Sequence, residues 1–289
     1  MLISASYKTD LPAWYGEWFM NRLRAGFCEM RNPYNNVVST VPLTREAVEG
    51  FVFWTRRIGP FLRHLPEVRE RGYPFIIHHG LMDYPRALER TQVEPEQVAR
   101  DLHTVAREYH PRVVIWRYDP ILCTSLTPLE WHVRNFARLA ALLAGATDEV
   151  VVSFAQFYQK TERNLARAAA EHDFTWEDPT TEVKCELIAE LAGIAQAQGI
   201  QLAVCAQSGY VVPGTVEARC VDPFRLSEVA GYAIHAPKQP HRPGCGCYQA
   251  RDIGAYNTCP HGCAYGYTVA SCDGARQRHQ RHDPQAAGL

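Results

Sequence analysis

Short runs of β-branched and aromatic residues recur along the chain, each followed by a longer stretch with helical apolar spacing. The strand candidates are residues 2–6, 51–55, 74–79, 112–118, 149–154 and 200–206. VVIW and VVVSF within them are near-continuous apolar runs, as expected of parallel strands covered on both faces. The amphipathic stretches between them are 11–25, 60–71, 95–109, 128–143 and 180–198. Asp10, Thr127 and Asp178 stand where helix N-caps would stand, the last two directly before a proline suited to a first turn. Gly199 closes the helix before the strand at 200.

Six β-then-α units in order predict a parallel α/β fold with right-handed crossovers. An open doubly wound sheet and a barrel both satisfy that order. No glycine-rich phosphate loop follows the first strand, which favours a partial or full (β/α) TIM-like barrel over residues 1–233. RNPYNN at 31–36 is rich in turn formers and predicts an inserted β-hairpin over 27–41. From 234 the chain gains Pro, Gly, His and Cys and loses periodicity. Residues 234–275 read as a cysteine-rich cap and 276–289 as a flexible, solvated tail.

Composition narrows the classes. With 289 residues and 46% hydrophobic content the chain can offset its ordering entropy, so intrinsic disorder is excluded. Thirty Lys+Arg against 31 Asp+Glu leave a net charge of -1, which gives no global field for nucleic acid or anionic membrane. The longest apolar run, 137–146, is far too short to span a bilayer and carries Arg138. MLISASYKTD lacks the cationic and apolar regions of a secretory signal. The expectation is a cytoplasmic protein with no membrane partner.

Ten cysteines then change the picture. Cys28, Cys123, Cys185, Cys205 and Cys220 are scattered, as small buried hydrophobes usually are. Cys245, Cys247, Cys259, Cys263 and Cys272 crowd the C-terminal region. Cys245-Gly-Cys247 and Cys259-Pro-His-Gly-Cys263 offer four thiolates, a plausible full ligand set for a metal or cluster. Neither spacing is a zinc knuckle, so an iron–sulfur cluster is favoured, with zinc and unmetallated thiols or disulfides as alternatives. His261 can substitute as a ligand or serve as a surface residue.

CGCYQARDIGAYNTCPHGCAYGY resembles the C-terminus of an uncharacterised bacterial domain-of-unknown-function family with a cysteine cluster similar to that of radical-SAM proteins. ISASYKTDLPAWYGEWFMNRL, FVFWT, VIWRYDPIL and SFAQFYQKT extend the resemblance over nearly the whole chain. It implies a partial (β/α) barrel with a [4Fe-4S] cluster on a C-x3-C-x2-C motif and S-adenosylmethionine on the fourth iron. It further implies a redox enzyme with an electron donor as partner. Cys259 and Cys263 match the first two ligands and Tyr265 the aromatic before the third. Gly266 stands where the third cysteine would be. Cys245 or Cys247 can restore the count; both together would close the cluster to S-adenosylmethionine.

The expected C-terminal strand ends carry Ser4, Ser6, Asp10, Trp54, Thr55, His78, His79, Arg117, Tyr118, Asp119, Ser153, Gln156, Cys205 and Gln207. Arg117 can clamp a carboxylate or phosphate of a small-molecule or nucleotide-like substrate, and Asp119 can act as a base. An internal Arg–Asp pair is the bland alternative. Ser6, Lys160 and Tyr265 are candidates for holding a cofactor. His78 and His79 alternate faces, so at most one faces the centre. Trp14, Trp18 and Phe19 read as core. Three functional classes remain: an iron–sulfur redox enzyme, a barrel hydrolase or lyase with a structural metal, and a nucleic-acid-acting protein using Arg276, Arg278 and Arg281.

Overall fold

The computed structural model describes residues 1–240 and 242–289. β1 (Leu2–Ala5) leads into α1 (Leu11–Trp14) and α2 (Gly16–Ala25), followed by an antiparallel hairpin of β2 (Phe27–Arg31) and β3 (Val38–Pro42). Then come β4 (Gly50–Thr55), α3 (Leu65–Glu70), β5 (Phe75–Gly80), α4 (Pro95–Glu108), β6 (Val114–Ile121), α5 (Leu129–Leu143) and β7 (Glu149–Phe154). The rest is α6 (Gln159–His172), α7 (Thr181–Ala197), β8 (Gln201–Val204), β9 (Val216–Glu217), α8 (Pro223–Ala230), β10 (Ala250–Asp252) and α9 (Cys272–Arg281). Eight strands form one sheet in the order β10-β1-β4-β5-β6-β7-β8-β9, every neighbouring pair parallel.

The six expected strands are present, with ends moved by up to three residues. Their alternation sends Ile3, Phe51, Phe53, Ile77, Trp116 and Val152 into the larger core against the crossover helices. Leu2, Val52, Ile76, Ile115, Val151 and Ala203 face the opposite way, into a smaller core with Leu226 of α8, Ile234 and Cys247. The parallel strands are thus covered on both faces, which accounts for their unbroken apolar runs.

Several expectations are corrected. The sheet ends at β9 and β10, which do not pair with each other among the described residues, so full barrel closure is not formed. β9 has only two residues, and after it α8 packs on the second face before the chain reaches β10, which pairs with β1 at the other edge. The segment read as a cap supplies β10 to the main sheet. Asp10 does cap α1, accepting from Ala13 N at 2.9 Å. Thr127 does not cap, because its hydroxyl is spent on Thr124 and the Leu122 carbonyl. Thr180 caps α7, while Asp178 pairs with Lys184 at 2.6 Å. Residues 276–289 are no solvated tail: α9 covers part of them, and the last residues dock on α2 and β2. Trp18 Nε1 donates to the Ala286 carbonyl at 2.9 Å and Glu29 N to Ala287 at 2.8 Å. Among the described residues no helix is long and apolar enough to cross a membrane.

Candidate functional site

The C-terminal ends of β1, β4 and β5 meet the segment that follows β10. Register places Asp252 beside Ser4, and its carboxylate collects the loop after β1. It accepts from Ser4 Oγ and Ser6 Oγ, both at 2.9 Å, from Tyr7 N at 3.1 Å and from Gly254 N at 3.0 Å. Lys8 Nζ lies 3.4 Å away. A Cβ on residue 254 would stand 2.0 Å from Ser6 Oγ, so only glycine lets the two loops meet. Ser6, a candidate for cofactor binding, spends its hydroxyl on this knot and also accepts from Lys8 N.

Beside the knot lies a buried group of titratable side chains. His261 Nε2 and Asp10 Oδ2 are 2.6 Å apart, and Arg56 N donates to the same carboxylate oxygen at 2.8 Å. The Arg56 guanidinium bridges Glu89 and Cys263, with Nη1 3.1 Å from the Cys263 sulfur. Tyr265, a second cofactor candidate, donates its hydroxyl to Glu89. A β-bridge between Glu89 and Cys263 holds the cysteine-bearing loop against the loop after β5.

Three imidazole nitrogens here have no hydrogen-bond partner among the described residues. His79 is fully buried, and neither ring nitrogen has a hydrogen-bond partner among the described residues. His261 Nδ1 is likewise without one. Leaving a buried polar atom unsatisfied costs about 1–3 kcal/mol. Burial holds His79 neutral, its pKa pushed down to about 4, with Asp10 opposing and Arg56 reinforcing. Burial also lifts the Asp10 carboxyl, but the hydrogen bond and charge of His261 outweigh it, and Asp10 titrates below the usual range. Burial keeps Glu89 above its usual range despite Arg56 and pushes the Cys259 thiol up to about 12.

The mouth over β6 and β7 is organised differently. Arg117 pairs with Asp119, and Ser153 donates to the other Asp119 oxygen, so the pair reads as an internal brace. The guanidinium lies 5.1 Å from the centre of Trp54, which stacks on His78 at 4.4 Å. His78 bonds the Cys220 carbonyl at 2.7 Å, and Gln207 is occupied by the backbone of Phe154. Lys160, the third cofactor candidate, sits at the rim with Nζ 5.5 Å from the Tyr256 ring.

The C-terminal cysteines keep two sets of company. Cys259 and Cys263 feel each other's charge and those of Asp10, Arg56 and Glu89. Cys247 neighbours both Cys245 and Cys220. All ten cysteines are thiols. Among the described residues no three of His, Cys, Asp and Glu are already gathered around one metal position. The four-cysteine set anticipated from sequence is therefore not preassembled.

The model for a domain of unknown function, DUF1848, matches residues 2–268. The chain belongs to the DUF1848 family. No curated protein matches it. A crystal structure of D-hydantoinase is similar at 12% identity over 71% of this chain and 42% of that one, with a TM-score of 0.32. The chain thus spans less than half of that enzyme's length, and the likeness is too weak to assign a fold or an activity.

In this DUF1848 chain a groove of about 400 Å³ opens beside the histidine–cysteine group, lined by Tyr84, Trp131, Arg134 and Arg138 among others. Asp83 and Gln92 line both it and a smaller recess that reaches Arg56, Glu89 and His261. Sequence reasoning missed Arg56 and Glu89, which lie in loops after β4 and β5 with no motif around them. It also missed Asp252, whose role exists only through the β1–β10 pairing.

Proposed function

We propose that the chain is a redox enzyme of radical-SAM-like type whose iron–sulfur cluster is held by Cys259, Cys263 and an imidazole nitrogen. The observation that carries this reading is His261. One of its ring nitrogens is fixed by Asp10 while the other, buried, has no partner among the described residues. A carboxylate behind a histidine is the usual arrangement for orienting a metal ligand. His79 offers a second nitrogen in the same surroundings, and histidine is an established replacement for cysteine on iron–sulfur centres. The residues present therefore fit a cluster even with glycine at position 266.

Three protein ligands would leave one iron open to S-adenosylmethionine; the bound cluster would supply one electron from an external donor. Arg56 would balance thiolate charge at Cys263, and Glu89 would hold Arg56 and Tyr265 in place. The adjoining groove, with its aromatic walls and arginines, suits a small anionic or nucleotide-like substrate. Anaerobic purification with iron, sulfide and zinc quantitation tests the reading. About four irons and four sulfides per chain are expected, with a reduced paramagnetic signal perturbed by S-adenosylmethionine. Cys259→Ser and His261→Asn should each lower the iron content while the far-UV spectrum stays unchanged. Iron unaffected by both substitutions refutes it.

A second reading rests on the same donors, since two thiolates and two imidazoles are also a zinc set. Zinc at this centre, without sulfide, would make the chain a non-redox barrel protein with a metal-braced mouth.

A further inference from the structure

A second group of sulfurs lies on the other side of the sheet's C-terminal end. Cys205 follows β8, Cys220 follows β9, and Cys245 and Cys247 belong to the loop before β10. The sulfurs of Cys205 and Cys220 are 3.5 Å apart. Cys247 lies near enough to both Cys220 and Cys245 for their side chains to influence one another. Four thiols from three separate segments thus lie side by side, the first two in contact.

Two arginines point at this row. Arg117 Nη1 lies 3.1 Å from the Cys220 sulfur and Arg242 Nη2 lies 3.7 Å from that of Cys205. Protonated thiols are weak acceptors, and a mostly buried guanidinium has better uses than a neutral sulfur. Both guanidiniums would hold thiolates more strongly than thiols, so these surroundings favour the anionic form that a bound cation would bring out. The spacing also distinguishes between metals. Tetrahedral zinc with Zn–S of about 2.3 Å sets its sulfurs roughly 3.8 Å apart, close to the separation of Cys205 and Cys220. Cysteines on a [4Fe-4S] cube bind separate irons and stand farther apart.

We propose that Cys205, Cys220, Cys245 and Cys247 form a mononuclear, thiophilic metal site that takes zinc, separate from the Cys259–Cys263 centre. Four thiolates and a divalent cation carry a net charge of about −2, and Arg242 with Arg117, the latter shared with Asp119, offsets part of it. The row must fold to enclose a cation, because no three donors are yet gathered around one point among the described residues. The loop that carries its last two members is built for that movement. Gly244 lies at φ +74°, and a Cβ on Gly246 would come within 3.1 Å of the Ala218 carbonyl, so glycine lets the loop lie directly on the segment leading to Cys220. Binding would tie the paired strands β8 and β9 to the loop before β10, where no strand pairing joins β9 and β10 among the described residues.

The test uses the full chain, purified anaerobically and then stripped and titrated with Zn²⁺ or Co²⁺. One tightly held zinc per chain is expected. Cobalt should give intense sulfur-to-metal charge-transfer absorption that falls stepwise in Cys205→Ser and Cys220→Ser. Cys245→Ser, on a half-buried loop, repeats the loss where a buried substitution disturbs folding, and Arg242→Gln should weaken zinc about 10- to 100-fold. Cys259→Ser should leave this zinc in place while lowering iron, so failure of one centre is distinguishable from failure of the other. A folded chain that binds neither metal overturns the proposal. So does zinc unaffected by Cys220→Ser and Cys245→Ser, or a Cys205–Cys220 disulfide in the native protein.

Discussion

Replacing Gly266 with cysteine asks directly whether the histidine–cysteine group is a cluster site. Residue 266 does not lie in the left-handed region, so a side chain is tolerated by its backbone. A Cβ there would sit 3.9 Å from the Cys263 Cβ and 3.1 Å from the Cys263 carbonyl oxygen. The first distance puts a new thiol beside an existing one. The second demands a shift of a few tenths of an ångström, costing about 1 kcal/mol. Removing a glycine from the unfolded chain returns about 0.4–1 kcal/mol. Stability should therefore change little, with Tm moving by roughly 2 °C or less. Thiolate is a softer ligand than imidazole for iron, so Gly266→Cys should retain more iron and sulfide. If it displaces a histidine it should also lower the reduction potential by on the order of 100 mV. Gly266→Ser has similar bulk without the sulfur and serves as the packing control. Iron, sulfide and potential identical in the cysteine, serine and parent chains, all equally stable, would refute both the site and the reasoning.

Arg225 has its side chain buried and binds Asp148, Glu149 and the carbonyls of Arg112 and Val114 at the opposite end of the sheet. Arg225→Met should cost about 3 kcal/mol, or roughly 8 °C in Tm, because it strands carboxylates and carbonyls together. Arg112→Gln, more exposed, should cost under about 1 kcal/mol; equal losses would count against the burial argument. His132 is buried between Tyr118 and the Leu122 carbonyl, and burial pushes its pKa down to about 4. The unfolded chain takes up that proton first, near pH 6.5, so stability falls as pH drops from about 6.5 to 4, by up to about 3 kcal/mol. His132→Gln should flatten denaturant midpoints across that window; an unchanged slope contradicts it. Deleting residues 283–289 removes four hydrogen bonds to α2 and β2. At roughly 1 kcal/mol each they put the loss at about 3–4 kcal/mol. No change in Tm would mean that the docking contributes nothing.

The sequence by itself determined the parallel α/β architecture, because strands covered on both faces must be apolar without interruption and helices between them must be amphipathic. VVIW and VVVSF in β6 and β7, and the hairpin around RNPYNN, were legible for that local reason. It also determined which residues can carry chemistry, since cysteine, histidine and paired charge are chemically distinctive wherever they fall. Tertiary structure alone decided which of them meet. Cys205 and Cys220 looked like isolated core thiols, yet the loops after β8 and β9 bring them together and set Cys220 beside Cys247. Arg117 and Asp119 were legible as a pair, but their engagement with Cys220 and Ser153 depends on loops that no periodicity encodes. How the sheet ends was equally invisible, because β9 and β10 are too short to leave a hydrophobic signature. The same holds for the C-terminal residues, whose polar composition reads as solvated while their carbonyls find donors on α2 and β2. Local pattern fixes elements because its interactions span a few residues; pairing of distant loops is set by packing, which sequence spacing does not record.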